Sequence, residues 1–77
     1  MDWDKLRIFH AVADVGSLTH AGDKLNLSQS AVSRQIRGLG DTLNATLVHR
    51  HARGVILREQ GELLFDATSA INKRLDT

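Results

Sequence analysis

Two helical patterns are separated by only two residues, Asn26 and Leu27, and this break constrains the fold more than any other feature of the sequence. Apolar residues recur at helical spacing over residues 18–25 before it and over residues 28–43 after it. Asparagine tolerates the left-handed conformation that a tight turn requires. Two helices joined this tightly must pack on each other, which predicts a helix-turn-helix. The residues predicted to point inward are Leu18, Ala21 and Leu25 in the first helix and Val32, Ile36, Leu39 and Leu43 in the second.

Residues at the ends of these segments support the same motif. Ser17 and Ser28 each precede a helical pattern, where a serine side chain can cap free amide groups. Gly22 is small, as the close approach of two helices demands. Leu27 and Val32 are apolar, and we expect both to fill the angle between the helices.

The flanking segments complete a winged form of the motif. Apolar periodicity predicts a first helix over about residues 3–15, with Trp3, Leu6, Phe9, Val12 and Ala13 inward. Short β-rich runs at 47–50 and 55–57 predict a hairpin, whose Gly54 can adopt a positive φ. From Glu59 the helical period returns. The expected fold is mainly α: a winged helix-turn-helix with a three-helix core and a two-stranded β wing, followed by a long linker helix.

Two glycines within the second helical pattern allow two positions for the end of this helix. Because Leu39 must stay in the apolar stripe, we expect the helix to run through Gly38 and Gly40. Gly38→Ala and Gly40→Glu would then raise the melting temperature. The alternative is that one glycine ends the helix in a left-handed cap near residue 39, where Gly→Ala would destabilise the fold.

Composition excludes several classes of protein. The 77 residues contain no cysteine, so no disulfide and no cysteine-ligated zinc can stabilise the fold. No apolar run approaches the roughly 20 residues that span a bilayer, and no signal peptide is present, so we expect a cytoplasmic protein. The chain has neither a glycine-rich phosphate loop nor a nucleophile elbow, so we expect no enzyme. His49 and His51 would share a strand face without further ligands, so we expect no metal and no cofactor.

The net charge of +1 hides a strong asymmetry along the chain. Residues 28–58 contain five arginines and one aspartate and so carry a net +4. Residues 1–27 carry −1 and residues 59–77 carry −2. Arginine is the side chain best suited to phosphate oxygens and guanine edges, so this segment favours a nucleic-acid partner.

The motif residues also resemble those of the LysR-type transcriptional regulators. The similarity lies in GSLTHAG at 16–22, LSQSAVSRQI at 27–36, the wing from 47 to 54, and LREQG at 57–61. The chain departs from that pattern at Gly40, where Glu is usual, at Val48, where Phe is common, and at Arg58, where Thr or Ser is usual. The resemblance covers essentially the whole chain.

The resemblance implies a bacterial regulator that binds duplex DNA at a two-fold operator. The winged helix-turn-helix would occupy residues 1–58 and the start of a linker and dimerisation helix residues 59–77. It also implies a C-terminal effector-binding domain, absent from these residues, that would hold any small-molecule effector and allow a homotetramer. No stop signal follows the last helical pattern, so we expect the helix to continue beyond Thr77.

Site residues follow from the same resemblance. The recognition helix, about 28–43, would lie in the major groove, and the wing, 47–57, would reach the minor groove and the backbone. Arg37, Arg50 and His51 would hold the backbone, Thr19 would contact a phosphate, and Arg53 would enter or flank the minor groove. The residues expected to face bases and nearby phosphates are Gln29, Ser30, Ser33 and Arg34.

The last helix is predicted to pair with its counterpart in a second protomer. Ile71 and Leu75 lie too far along its apolar stripe for one small domain to cover. The first part of the stripe could instead pack on the chain's own core. The residues expected at the dimer interface are Leu63, Leu64, Ala67, Ala70, Ile71 and Leu75.

One alternative function stays open at this point. Some winged helices bind proteins or RNA without reading duplex DNA, and their recognition face is typically less basic. Here both the recognition helix and the wing carry arginine, which favours duplex DNA.

Overall fold

The computed structural model describes residues 3–51 and 54–75, without the side chains of residues 50, 51 and 72–75. The elements run in the predicted order, and the mainly helical winged fold is confirmed. They are α1 (Trp3–Val15), α2 (Leu18–Leu25), α3 (Gln29–Leu43), β1 (Val48–His51), β2 (Gly54–Leu57) and α4 (Glu59–Leu75).

The helix caps form as the sequence predicts. The Ser17 hydroxyl accepts a hydrogen bond from the His20 amide at 3.2 Å, and the Ser28 hydroxyl accepts one from the Ala31 amide at 3.1 Å. Asn26 ends α2 in the left-handed region at φ 60°. The predicted tight turn is therefore present, and α2 and α3 start and stop where their caps place them.

The recognition helix α3 is continuous through Gly38 and Gly40. It ends at Asn44, whose φ is 54° and whose amide donates to the Asp41 carbonyl at 3.2 Å. The early glycine cap near residue 39 is therefore wrong. Leu39 stays fully buried, as the continuous stripe requires.

The core consists of two adjoining groups of buried side chains. The first joins the three helices of the motif, and the second holds the wing and α4 against α1 and α3. Val48 packs against both groups and links the wing to the core. The first group comprises Val12, Leu18, Ala21, Val32 and Ile36; the second comprises Phe9, Leu39 and Leu47.

Two apolar residues that were predicted to be buried, Leu27 and Trp3, are exposed. Leu27 is 38% exposed, so Val32 on α3 and Ala21 on α2, both fully buried, fill the angle between the helices. Trp3 is 44% exposed because it begins α1, where no described element covers it fully. Leu25 is half-buried.

The requirement for a small residue at Gly22 is confirmed. A Cβ there would lie 2.6 Å from the Leu27 carbonyl oxygen, which the turn brings back onto α2. The Leu27 amide also donates to the Gly22 carbonyl at 2.8 Å. Any larger residue would therefore push the turn away from the helix.

The wing is an antiparallel pair in which Val48 faces Leu57 and His51 faces Gly54. The predicted boundary at 47 is wrong by one residue, because Leu47 precedes β1 and is buried in the core. Gly54 has the predicted positive φ, at 142°. The Val55 amide donates to the Gly16 carbonyl at 3.1 Å, which ties the wing to the turn between α1 and α2.

The first three turns of α4 are fastened to the domain. The Arg58 amide donates to the Leu47 carbonyl at 2.9 Å, and Gly61 packs directly against the Leu47 backbone. Further along, Leu64 and Phe65 pack against the second core group.

One polar contact then joins α4 to α1. His10 Nδ1 lies 2.8 Å from the buried Thr68 hydroxyl, which donates to the Phe65 carbonyl at 3.1 Å. Both hydrogen bonds form together when His10 donates from Nδ1 and the hydroxyl donates to the Phe65 carbonyl. The His10 ring also stacks on Phe65, with centroids 5.0 Å apart. This link between α1 and α4 was not predicted from the sequence.

Candidate nucleic-acid interface

The N-terminal half of α3 has two chemically distinct faces. Val32 and Ile36 are buried against the core. The opposite face is polar and has no acidic side chain before Asp41. Gln29, Ser30, Arg34 and Arg37 are exposed and Ser33 is half-buried, and with Ser28 these residues line one shallow open depression.

Local hydrogen bonds fix the start of this surface. The Ser28 hydroxyl caps the Ala31 amide and lies 3.3 Å from the Ser30 hydroxyl. Ser28 therefore acts as an N-cap, as predicted, while the free amides of the first turn carry the positive end of the helix dipole. An anionic group is stabilised at such a position.

Thr19 lies beside this surface, on α2. Its exposed hydroxyl donates a hydrogen bond to Gln29 Oε1 at 3.4 Å. The structure thus brings together Thr19 and Gln29 from different helices, which no sequence spacing indicated.

The predicted wing residues fall at the limit of the described structure. The strand positions of Arg50 and His51 are described, opposite Val55 and Gly54, but their side chains lie outside the described set. Arg53 lies outside the described residues altogether. The bond from Val55 to Gly16 nevertheless places the start of β2 beside the turn between α1 and α2.

A second surface depression lies between α3 and β1 and includes two residues outside the predicted set. Thr46 and His49 line it together with Arg37 and Asp41. His49 is exposed while its neighbour Val48 is half-buried. The alternation of side chains along β1 was the one sequence pattern that could have placed His49 on this surface. No sequence pattern could have placed Thr46 there.

The predicted dimerisation residues separate into two groups. Leu64 is half-buried and packs against the second core group. Leu63 is 66% exposed and Ile71 is 39% exposed, and Ala67 and Ala70 are exposed beside them. The side chain of Leu75 lies outside the described set.

Among the side chains that the structure describes, no three histidines, aspartates or glutamates are grouped as a metal would require. No helix within residues 3–51 and 54–75 has the length and apolar character needed to cross a bilayer.

Relatives of known sequence are transcriptional regulators. The RuBisCO operon transcriptional regulator of Allochromatium vinosum is 42% identical over 71 residues, which cover 92% of this chain and 24% of that protein. The HTH-type transcriptional regulator YofA of Bacillus subtilis is 40% identical over 76 residues, covering 99% of this chain and 27% of YofA. The chain therefore spans about a quarter of the length of the curated relatives it matches.

Solved structures share the fold closely. The complex of the BenM DNA-binding domain with catB site 1 DNA superposes with a TM-score of 0.90 at 33% identity, covering 99% of this chain and 84% of that one. The complex of the CbnR DNA-binding domain with DNA gives 0.88 at 29% identity, covering 99% and 87%.

A family model gives the most direct assignment. The model for the bacterial regulatory helix-turn-helix proteins of the lysR family matches residues 3–62, which include all three motif helices, the wing and the start of α4. That family consists of regulators and is not a class of enzymes. The chain belongs to the LysR family of bacterial regulatory helix-turn-helix proteins.

Proposed function

We propose that this chain binds double-stranded DNA sequence-specifically, as the DNA-binding part of a bacterial transcriptional regulator. The carrying observation is the exposed, polar face of α3, which lies opposite a fully buried apolar stripe. An α-helix fits the B-DNA major groove, which is about 12 Å wide. The relatives crystallised with DNA have the same fold, which supports this use of the helix.

Each residue of the surface has a proposed role set by its chemistry. Gln29 and Ser33 read base edges, and Arg34 reaches bases or nearby phosphates from the same face. Arg37, one turn further along, holds the DNA backbone. Ser30, at the dipole end of α3, lies where a phosphate or base edge would approach. The proposed wing contacts are Arg50 and His51 at phosphates and Arg53 at the minor groove.

The alternative is a winged helix that binds a protein or RNA. Two features favour duplex DNA: the recognition face carries Arg34 and Arg37 with no acidic residue before Asp41, and five of the chain's seven arginines lie in residues 28–58. The chain has only two Phe and one Trp, which leaves little aromatic surface for stacking unpaired bases.

We also propose that α4 pairs with its counterpart in a second protomer. The exposed face formed by Leu63, Ala67, Ala70 and Ile71 is apolar and has no covering element among the described residues. Pairing through it would set two recognition helices on a two-fold site. In this proposal residues 1–58 bind DNA and residues 59–77 begin the dimerisation helix.

The rest of the proposed regulator follows from its relatives. They are about four times longer than this chain, which leaves room for a C-terminal effector-binding domain and for assembly into tetramers. Such a protein would act in the cytoplasm, associated with the nucleoid.

Selection from a random duplex pool tests the function. The chain should enrich one sequence and bind it more tightly than a scrambled duplex of equal length. Affinity for both should fall steeply as salt rises, because each phosphate contact releases counterions. Enrichment of no duplex sequence, together with tighter binding to single-stranded RNA, would favour the alternative.

A further inference from the structure

We propose that Thr19 is a positioning residue for base reading, which holds the Gln29 carboxamide with its nitrogen end free for DNA. The inference rests on the proposed function and assigns Thr19 a different role from the phosphate contact expected by resemblance. It starts from the bond between the Thr19 hydroxyl and Gln29 Oε1, at 3.4 Å.

The single proton of the Thr19 hydroxyl bears on whether Thr19 positions Gln29 or contacts a phosphate. A threonine hydroxyl has one proton to donate. Phosphate oxygens at neutral pH only accept hydrogen bonds, so a phosphate contact would need that proton. In the structure the proton is directed to Gln29. With Gln29 Oε1 facing the hydroxyl, Thr19 therefore cannot give its proton both to a phosphate and to Gln29. With the amide turned the other way, the hydroxyl would accept from Gln29 Nε2 and could donate to a phosphate.

The bond also selects which end of the amide is available. With Oε1 engaged by Thr19, both Nε2 protons of Gln29 and one lone pair of Oε1 stay unused. These groups can meet a purine edge, where N7 accepts a hydrogen bond. An untethered glutamine would first have to lose rotamer freedom and select one amide orientation. Tethering removes part of that cost before DNA arrives.

The geometry makes this a contact between the two helices of the motif. Thr19 lies in the first turn of α2, and Gln29 is the first residue of α3. The turn at Asn26, with its left-handed φ of 60°, brings those two ends together. In this way α2 influences sequence reading without contacting a base.

The experiment compares five forms of the chain on two duplexes. They are the parent, Thr19→Val, Thr19→Ser, Gln29→Ala and the double variant Thr19→Val with Gln29→Ala. Valine keeps the shape of threonine without the hydroxyl, and serine keeps the hydroxyl. Each is titrated by fluorescence anisotropy against the duplex selected by the parent and against a scrambled duplex, at several salt concentrations.

Thr19→Val should bind the selected duplex roughly two- to tenfold more weakly, the range for one lost hydrogen bond. Its affinity for the scrambled duplex should not change. Thr19→Ser should behave like the parent, and Thr19→Val should have no further effect once Gln29 is alanine. Because Thr19 is exposed, melting temperatures should be unchanged; if valine disturbs α2, Thr19→Ala replaces it in the same comparison.

Three results would overturn the inference. Equal losses on both duplexes, with a salt slope lower by about one, would identify a phosphate contact. A loss that persists in the Gln29→Ala background would show that Thr19 acts without Gln29. No loss at all would show that Gln29 is oriented by other means. If the parent itself cannot distinguish the two duplexes, the proposed function fails and the inference fails with it.

Discussion

Gly38 and Gly40 lie two residues apart on the recognition helix but have different neighbours. A Cβ on Gly38 would meet the end of the Lys5 side chain at 3.2 Å, and that flexible group can move. An alanine in place of a helical glycine contributes up to about 1 kcal/mol. Gly38→Ala should therefore raise the melting temperature by roughly 4–8 °C per kcal/mol gained, measured by circular dichroism. An unchanged or lower value would contradict this estimate.

Gly40 should behave in the opposite way, and here the structure corrects the expectation from sequence. A Cβ on Gly40 would lie 2.7 Å from the Ala45 carbonyl oxygen. That oxygen belongs to backbone, held because the Ala45 amide donates to the Gly40 carbonyl at 2.9 Å. Gly40→Ala should lower the melting temperature, and Gly40→Glu should not raise it as the continuous helix alone suggested. Gly38→Ala is the matched control, and a rise for both would mean that the loop yields readily.

Residues that contact the DNA backbone and residues that read bases should differ in how alanine substitution changes DNA affinity. Arg37→Ala, on the exposed face of α3, should weaken binding to selected and scrambled duplexes alike and lower the salt slope by about one. Arg53→Ala should do the same at the wing. Ser33→Ala should cost on the order of 1–3 kcal/mol at one base position and leave scrambled DNA unaffected. Equal losses on both duplexes for all three variants would refute the distinction.

At the scale of elements, one buried hydroxyl forms a polar link between α4 and α1. Thr68 is 6% exposed and joins His10 to the Phe65 carbonyl. Thr68→Val keeps the side chain's volume but leaves His10 Nδ1 without its partner. We expect a loss of about 1–3 kcal/mol in the free energy of unfolding, measured by urea denaturation.

Thr68→Ser is the control for this link, because it retains the hydroxyl and loses one methyl group. It should lie between the parent and Thr68→Val in stability. If valine proves as stable as threonine, the hydrogen bond is not needed and the ring stack of His10 on Phe65 suffices to hold α4.

At the scale of the whole molecule, the exposed stripe of α4 should mediate self-association. Ile71→Asp places a charge in the proposed interface and should shift the sedimentation equilibrium towards monomer. Ile71→Val, which keeps the position apolar, is the matched control. The proposed interface would be contradicted if the parent, Ile71→Asp and Ile71→Val all sedimented as monomers at high concentration.

The order and type of elements followed from local chemistry alone. Apolar spacing identified the helices, and two serines and Asn26 marked their ends, because caps and turns depend on residues close in sequence. The polar face of α3 could be recognised for the same reason: it is the complement of the stripe at Val32, Ile36 and Leu39.

Only the tertiary structure decided which residues meet across elements. It buried Leu47 ahead of the wing, left Leu27 partly exposed, and assigned Leu64 to the chain's own core. It also paired Thr19 with Gln29 and His10 with Thr68, which lie 10 and 58 positions apart. Periodicity describes one element at a time, whereas these contacts depend on how helices cross, and the crossing is set by packing of the whole core.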